Sequence, residues 1–259
     1  MSELLPNLPL KLEIQGLSKT FQSRGKTIVA LQDINLSLAP REFVCIVGAS
    51  GCGKSTLLNI IAGLMPPTTG AVRVDGQVVL GPGSDRGMVF QSYTLYPWLS
   101  VANNVAFGLK LQGLPKIEIQ QQVAYYLDIV GLSTFARAYP KELSGGMKQR
   151  VAIARALATS PEVLLMDEPF GALDTQTKEQ MQAFLLEIWQ QTHTTILMIT
   201  HDLEEAIFLS QRIYVMDRNP GRIRTELAIS LPPERNLDLK LEPEFIALKR
   251  KMIQIFREG

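Results

Sequence analysis

Residues 48–56 read GASGCGKST, and every residue type in that run has a use in phosphate chemistry. Gly48, Gly53, Lys54 and Ser55 satisfy a G-x-x-x-x-G-K-[ST] spacing. Glycines let backbone N–H groups converge on one concavity, and a helix starting there adds its positive end. Lys54 can reach the outer phosphates of a nucleotide, and the Ser55 hydroxyl can ligate a magnesium ion. With Ala49, Ser50, Gly51, Cys52 and Thr56 these residues form a candidate nucleotide cradle. An ordinary glycine turn is the competing reading. The apolar run at 43–47 before it and the helical pattern after it disfavour that alternative.

Two carboxylates, Asp167 and Glu168, end the apolar run VLLM. Successive strand side chains face opposite ways, but a turn at the strand end can bring both to one site. Asp167 would then support a magnesium shell, often through water. Glu168 would align and polarise an attacking water, or act as its general base. Gln91 follows the strand-like GMVF, and His201 follows ILMIT. Open α/β sheets gather ligands at the carboxyl ends of their strands, which puts both residues near the cradle. Gln91 can offer its amide oxygen to magnesium or to water. His201 can donate to a γ phosphate and hold Glu168. Standing alone, they would be a surface glutamine and a structural histidine.

A second glycine-rich start lies far downstream, in LSGGMKQR at 143–150. Ser144 can cap the helix MKQRVAIARALA, whose packed stripe is expected at Met147, Val151, Ala154 and Leu157. Gly145 and Gly146 would leave backbone N–H groups open to an anion, although a plain helix cap is the simpler reading. One γ phosphate hardly needs two such devices from one side. A head-to-tail, twofold pair of chains would let each copy complete the other's site.

The elements that must position these groups follow from hydrophobic patterning. Residues 10–17 and 28–38 alternate as strands, with FQSRGKT between them as a turn. Residues 43–47 form a central strand covered on both faces, and 55–64 a helix. AVRVDGQVVL predicts a hairpin turning at Asp75 and Gly76. Residues 87–90 make a short strand. From 101 to 160 the pattern is mainly helical, punctuated by Pro115, Gly131 and Pro140. Strands return at 163–166, 195–199, 212–216 and 222–227, with a helix at 175–191. Phe245, Leu248, Met252 and Phe256 predict a last helix after Pro243. Strands separated by helices favour a mostly parallel, right-handed α/β core.

Composition narrows the function classes. The chain has 259 residues, 46% of them apolar, enough for a large core with an inserted lobe. Lys plus Arg is 26 against 25 for Asp plus Glu, so no broad nucleic-acid surface is expected. No apolar run is long enough to span a bilayer, and the opening MSELLPNLPLKLE carries no expected export signal. Cys45 reads as core. The two cysteines and two histidines, His193 and His201, lack metal-site spacing.

The ordered set of motifs resembles the nucleotide-binding subunit of ATP-binding cassette (ABC) transporters, over residues 10–216. GASGCGKST resembles Walker A, Gln91 the Q-loop glutamine and LSGGMKQR the signature motif. LLMDE resembles Walker B, GALD with Asp174 the D-loop, and His201 the switch histidine. Met147 stands where the family often has glutamine. Phe21 falls where the family's adenine-stacking aromatic is expected, with a core or turn aromatic as the alternative. The resemblance implies an α/β P-loop NTPase core of ABC ATPase type, an N-terminal antiparallel β subdomain and an inserted helical subdomain. Expected boundaries are 10–91 and 161–240 for the core, 92–160 for the helical lobe and 241–259 for a helical tail.

It further implies ATP and Mg2+ as ligands, the ion held by Ser55, Gln91 and Asp167. Two ATP molecules would lie between two cassettes, each meeting Lys54 of one copy and Ser144–Gly146 of the other, with Asp174 communicating across the pair. Glu168, His201, Gln91 and Lys54 would carry hydrolysis. Membrane permease subunits would be direct partners and a periplasmic solute-binding protein an indirect one, at the cytoplasmic face of a bacterial inner membrane. Tyr93, Leu95, Tyr96 and Trp98 read either as lobe core or as a groove for a permease helix. GPGSDRGMVFQ and LYPWLSVANNVAFGL are similar to importers of nitrate, taurine or aliphatic sulfonates, and bicarbonate. An importer of another solute is the first alternative, and a soluble nucleic-acid-associated ABC ATPase a lesser one.

Overall fold

The computed structural model describes residues 10–23 and 25–257. The start of the chain, where no export signal is expected, lies outside the described residues.

Two sheets organise the molecule. The first is antiparallel, in the order β2-β1-β4-β5, from β1 (Leu12–Ser23), β2 (Lys26–Leu38), β4 (Thr69–Val74) and β5 (Gln77–Val78). The expected hairpin forms, with Asp75 at φ 47° and Gly76 at φ 76° in the two-residue turn. The stretch FQSRGKT is a correction. Phe21, Gln22 and Ser23 pair with Ile28, Thr27 and Lys26, so strand pairing runs almost to the tip.

The second sheet has the order β10-β9-β3-β8-β7-β6. Its strands are β3 (Phe43–Gly48), β6 (Arg86–Val89), β7 (Val163–Asp167), β8 (Thr195–Thr200), β9 (Arg212–Asp217) and β10 (Arg222–Ala228). All pairings from β9 to β6 are parallel, and β10 joins the edge antiparallel to β9. β3 is central and wholly buried, as its unbroken apolar run requires. Side-chain alternation divides the core in two. Phe43, Cys45 and Val47 pack among the helices on one face. Val44 and Ile46 pack with the antiparallel sheet and α1 (Lys54–Ile61) on the other.

The helical stretch supplies α2 (Val101–Leu111), α3 (Lys116–Ile129) and α4 (Gly145–Ala158). Val151, Ala154 and Leu157 are buried as expected, and Met147 is partly so. Ala152, Ile153, Ala156 and Ala158 are buried as well, because α4 is packed on by α2, α3 and α5 (Thr175–Thr192). A short α6 (Leu203–Leu209) follows β8. The closing helix α7 (Pro243–Arg257) buries Phe245 and Met252. Among the described residues, no helix is long and apolar enough to cross a membrane.

Candidate functional site

The cradle forms where β3 ends. Gly51 has φ 79° and Gly53 φ 101°, the left-handed region that favours glycine. A Cβ on Gly53 would also lie 2.7 Å from the Leu31 side chain. Gly53 is the N-cap of α1 and offers no side chain to it, so the first-turn N–H groups stay open to an anion. Lys54 is only 5% exposed, and its ammonium donates to the Gly48 carbonyl at 2.7 Å and the Ala49 carbonyl at 3.2 Å. Cys52 is buried beneath the turn.

Ser50, Gly51, Gly53, Lys54, Ser55, Thr56, Gln91, Asp167 and Glu168 line one recess of about 360 Å³. Three separate segments meet there: the turn from β3 into α1, and the carboxyl ends of β6 and β7. The Ser55 hydroxyl donates to Asp167 Oδ1 at 3.3 Å. Burial raises the Asp167 carboxyl above the usual range, and the neighbouring Glu168 charge adds to this. The Ser55 hydrogen bond and the Lys54 charge pull the other way. Two hard oxygens at this spacing suit magnesium, which keeps most of its own water or phosphate ligands. The described residues hold no cluster of three or more His, Cys, Asp and Glu that could cage a metal unaided.

The adjacent carboxylates converge because Glu168 adopts φ 42°, uncommon for a residue with a side chain. Its N–H is held by the Ile199 carbonyl of β8 at 3.0 Å. That kink aims Glu168 Oε2 at His201 Nδ1, 2.9 Å away. The His201 side chain is otherwise 61% exposed. A base fixed by an imidazole beside a phosphate cradle is an arrangement that can activate water.

The other candidates sit apart from this recess. Ser144 caps α4, accepting from the Met147 N–H at 3.3 Å, and neither it nor Gly145 or Gly146 lines the recess. Asp174 caps α5 through the Thr177 N–H at 3.0 Å. Phe21, on β1, lies under Lys19, whose ammonium is 5.3 Å from the ring centroid. The segment after Gln91 divides: Leu95 packs on the core, while Trp98 is 71% exposed. Trp98 meets Tyr96 at 5.7 Å, and Tyr96 meets Phe107 of α2 at 4.5 Å.

Two features were missed from sequence. An apolar groove of about 650 Å³ runs between α2 and α3, lined by Ala102, Ala106, Leu114, Ile119, Val123 and Leu127. None of the four residues singled out after Gln91 lines it. The paired small residues Ala102 and Ala106 were its available signal. Arg155 of α4 donates to the Thr94 carbonyl at 2.8 Å, the Thr94 hydroxyl at 2.9 Å and the Tyr93 carbonyl at 3.5 Å. Burial lowers its guanidinium from the usual value. Its signal was a lone cation inside the run VAIARALA.

Comparison with known proteins agrees with this geometry. A family model described as "ABC transporter" matches residues 31–171. The nitrate import ATP-binding protein NrtD of Synechocystis sp. is 56% identical over 254 residues, 96% of each chain. The taurine import ATP-binding protein TauB of Rhizobium johnstonii is 52% identical over 82% of this chain and 81% of its own. A solved dimeric ATP-binding cassette, in a post-hydrolysis state bound to ADP and Pi, superposes with TM-score 0.73 at 33% identity. That match covers 85% of this chain and 100% of the cassette. With the phosphate cradle, the kinked acidic pair and the facing histidine on one α/β sheet, this chain belongs to the ABC transporter family, as one of its ATP-binding, ATP-hydrolysing subunits.

Proposed function

We propose that this subunit drives import of a small anion, of the class that includes nitrate, taurine and other sulfonates, and bicarbonate. Likeness to the nitrate and taurine import proteins over most of the chain supports the class. The observation that carries the chemistry is the His201–Glu168 contact at 2.9 Å beside the Ser55–Asp167 pair.

In this reading Lys54 and the N–H groups of residues 48–56 hold the β and γ phosphates of ATP, and Phe21 stacks on the adenine. Ser55, Asp167 and Gln91 would hold Mg2+, which neutralises phosphate charge when bound. Glu168 orients and polarises the attacking water. His201 Nδ1 donates to Glu168, leaving Nε2 toward the γ phosphate. Holding both contacts as a donor requires a proton on each ring nitrogen. Catalysis is then positioning plus charge stabilisation.

Ser144, Gly145 and Gly146 lie outside their own recess, which supports their use on the nucleotide of a second, identical or homologous copy. The dimeric form of the similar cassette supports the same pairing. Asp174 would communicate across the pair. The division into 10–91 with 161–240, 92–160 and 241–259 then separates the nucleotide core from the helical lobe and tail. The groove between α2 and α3, together with the exposed Trp98, would take a helix of a membrane permease. The chain would thus work peripherally, at the cytoplasmic face of a bacterial inner membrane. A periplasmic solute-binding protein would act on the far side of the permease.

Reconstitution with permease and binding protein, against a panel of small anions, tests the cargo through stimulated ATP hydrolysis. No stimulation by any anion would remove the class. Glu168→Gln tests the chemistry. Phosphate release should fall by about a hundredfold or more while ATP still drives a dimer on sizing. Unchanged turnover would remove Glu168 from the role.

A further inference from the structure

The exposed ring of His201 is held by the Glu168 contact alone among the described side chains, whereas the residues on either side of it each make several hydrogen bonds. Thr200 donates its hydroxyl to Glu205 Oε2 at 2.6 Å and accepts from the Asp202 N–H at 3.0 Å. Asp202 Oδ1 caps α6, accepting from the N–H groups of Glu204 at 2.9 Å and Glu205 at 3.2 Å. Glu205 is a carboxylate only 3% exposed. A charge so placed needs a partner, because leaving it unpaired costs several kcal/mol.

That partner comes from another element. Lys178, on α5, places its ammonium 2.7 Å from Asp202 Oδ2 and 2.6 Å from Glu205 Oε1. Neighbouring cations are engaged elsewhere: Lys240 with Glu179 and Gln182, and Lys249 with Glu204. Burial works against the Lys178 ammonium, but its bonds to Asp202 and Glu205 outweigh it and the net displacement is upward. Burial likewise opposes the Asp202 carboxylate, and the Lys178 contact reverses this to a net lowering. The two partners therefore agree. Lys178 also donates its own N–H to the Asp174 carbonyl at 2.8 Å, so it lies one helical turn from the residue that starts α5.

We propose that Lys178 is a positioning residue for His201. By bridging Asp202 and Glu205 it holds the loop on both sides of the histidine, keeps the ring on Glu168, and makes that loop move with the start of α5. The catalytic part of this inference rests on the reading of Glu168 and His201 given above. The geometric part does not. A displacement at Asp174, where a second copy would be sensed, carries the Lys178 ammonium with it and so reaches the histidine without passing through the nucleotide.

The chain has only two histidines, which makes the test direct. In the full-length protein labelled with ¹⁵N-histidine, His193→Gln assigns the two ring spectra and should leave turnover unchanged. Lys178→Met should shift the His201 ring signals and leave those of His193 in place. It should lower kcat by about tenfold to a hundredfold with KM for ATP within about twofold. Lys178→Arg should recover kcat to within about threefold of the parent, since either cation can bridge two carboxylates. If Lys178→Met does not fold, Lys178→Met with Glu205→Gln removes the orphaned buried charge and should show the same His201 shift and kcat loss. A folded variant with unmoved His201 signals overturns the inference, whether or not turnover falls. Shifted signals with unchanged kcat would overturn its catalytic half. If His201→Ala itself leaves turnover intact, the catalytic reading of the histidine fails, and the ring signals still report on Lys178.

Discussion

Trp98→Ala separates partner docking from folding, and the separation can be sized. The side chain is 71% exposed, so of about 250 Å² on a tryptophan roughly 180 Å² awaits cover. At about 25 cal/mol per Å² that is up to about 4.5 kcal/mol if a partner buries it all. The covered remainder, roughly 70 Å², together with the contact to Tyr96, bounds the cost to the isolated fold at about 3 kcal/mol. If half or more of that exposed area is covered, the permease affinity should weaken by roughly 40-fold to 1600-fold. ATP affinity should not change, because Trp98 is absent from the nucleotide recess. The assay is titration of the labelled cassette against its permease pair in nanodiscs, beside displacement of a fluorescent nucleotide and a denaturant melt. A change in permease affinity below about threefold, in a folded variant, would refute the docking role of this cluster.

Asp167→Asn tests the electrostatics of the recess. The folded carboxyl sits above its unfolded value, so its favourable contribution is present below the unfolded pKa and lost as pH rises through the folded one. At neutral pH the nucleotide-free variant should therefore melt higher than the parent, and the gap should close in acid, while magnesium dependence of ATP binding weakens. Tm against pH for both proteins, without nucleotide, checks the sign. Gly63→Ala tests the fold alone. Gly63 has φ 75°, and an added Cβ would lie 2.1 Å from the Gly81 carbonyl oxygen. A loss of at least about 2 kcal/mol is expected on chemical denaturation. Arg155→Ala should lower permease-stimulated hydrolysis more than basal hydrolysis, because it frees Tyr93 and Thr94 from α4. Comparing the two rates in proteoliposomes decides it, and an unchanged ratio would count against the tie.

Much of this arrangement was legible because burial and backbone geometry leave marks in residue type. FVCIVG had to be a strand covered on both faces, and GASGCGKST had to turn where two glycines allow left-handed backbone. The hairpin at Asp75 and Gly76 was legible for the same reason. FQSRGKT misled because alternation reports which side chains are buried, whereas the pairing there runs through the backbone and joins polar residues, Gln22 to Thr27 and Ser23 to Lys26. The kink at Glu168 left no mark at all. A carboxylate at φ 42° is held by the Ile199 carbonyl of a strand distant in sequence, and only the assembled sheet reveals it. The groove between α2 and α3 and the Lys178 bridge share that character. Each depends on two elements meeting, and a lysine in TQTKEQ reads as a solvated one until α6 arrives beside it.

The proposed reading asks one chain to sense a phosphate and move a membrane partner, and the loop after β6 is where the two demands meet. Gln91 lies in the recess, and the exposed Trp98 joins, through Tyr96, the aromatic cluster that reaches Phe107 of α2. A slack loop between them would transmit nothing. Arg155 removes the slack by fixing the carbonyls of Tyr93 and Thr94 to α4. Tyr93 also reaches the start of that helix, its hydroxyl 3.0 Å from where a Cβ on Gly145 would lie. The loop is thus tied to α4 near both of its ends, and Ser144–Gly146 ride on the same helix. In the proposed reading, a change felt at Gln91 would carry Ser144–Gly146 and, because α2 packs on α4, the groove together. Lys178 does the equivalent on the other side, joining α5 to the histidine loop. In the proposed reading, phosphate sensing and movement are coupled by two half-buried cations, Arg155 and Lys178, each spanning elements that the backbone alone would leave free to slide.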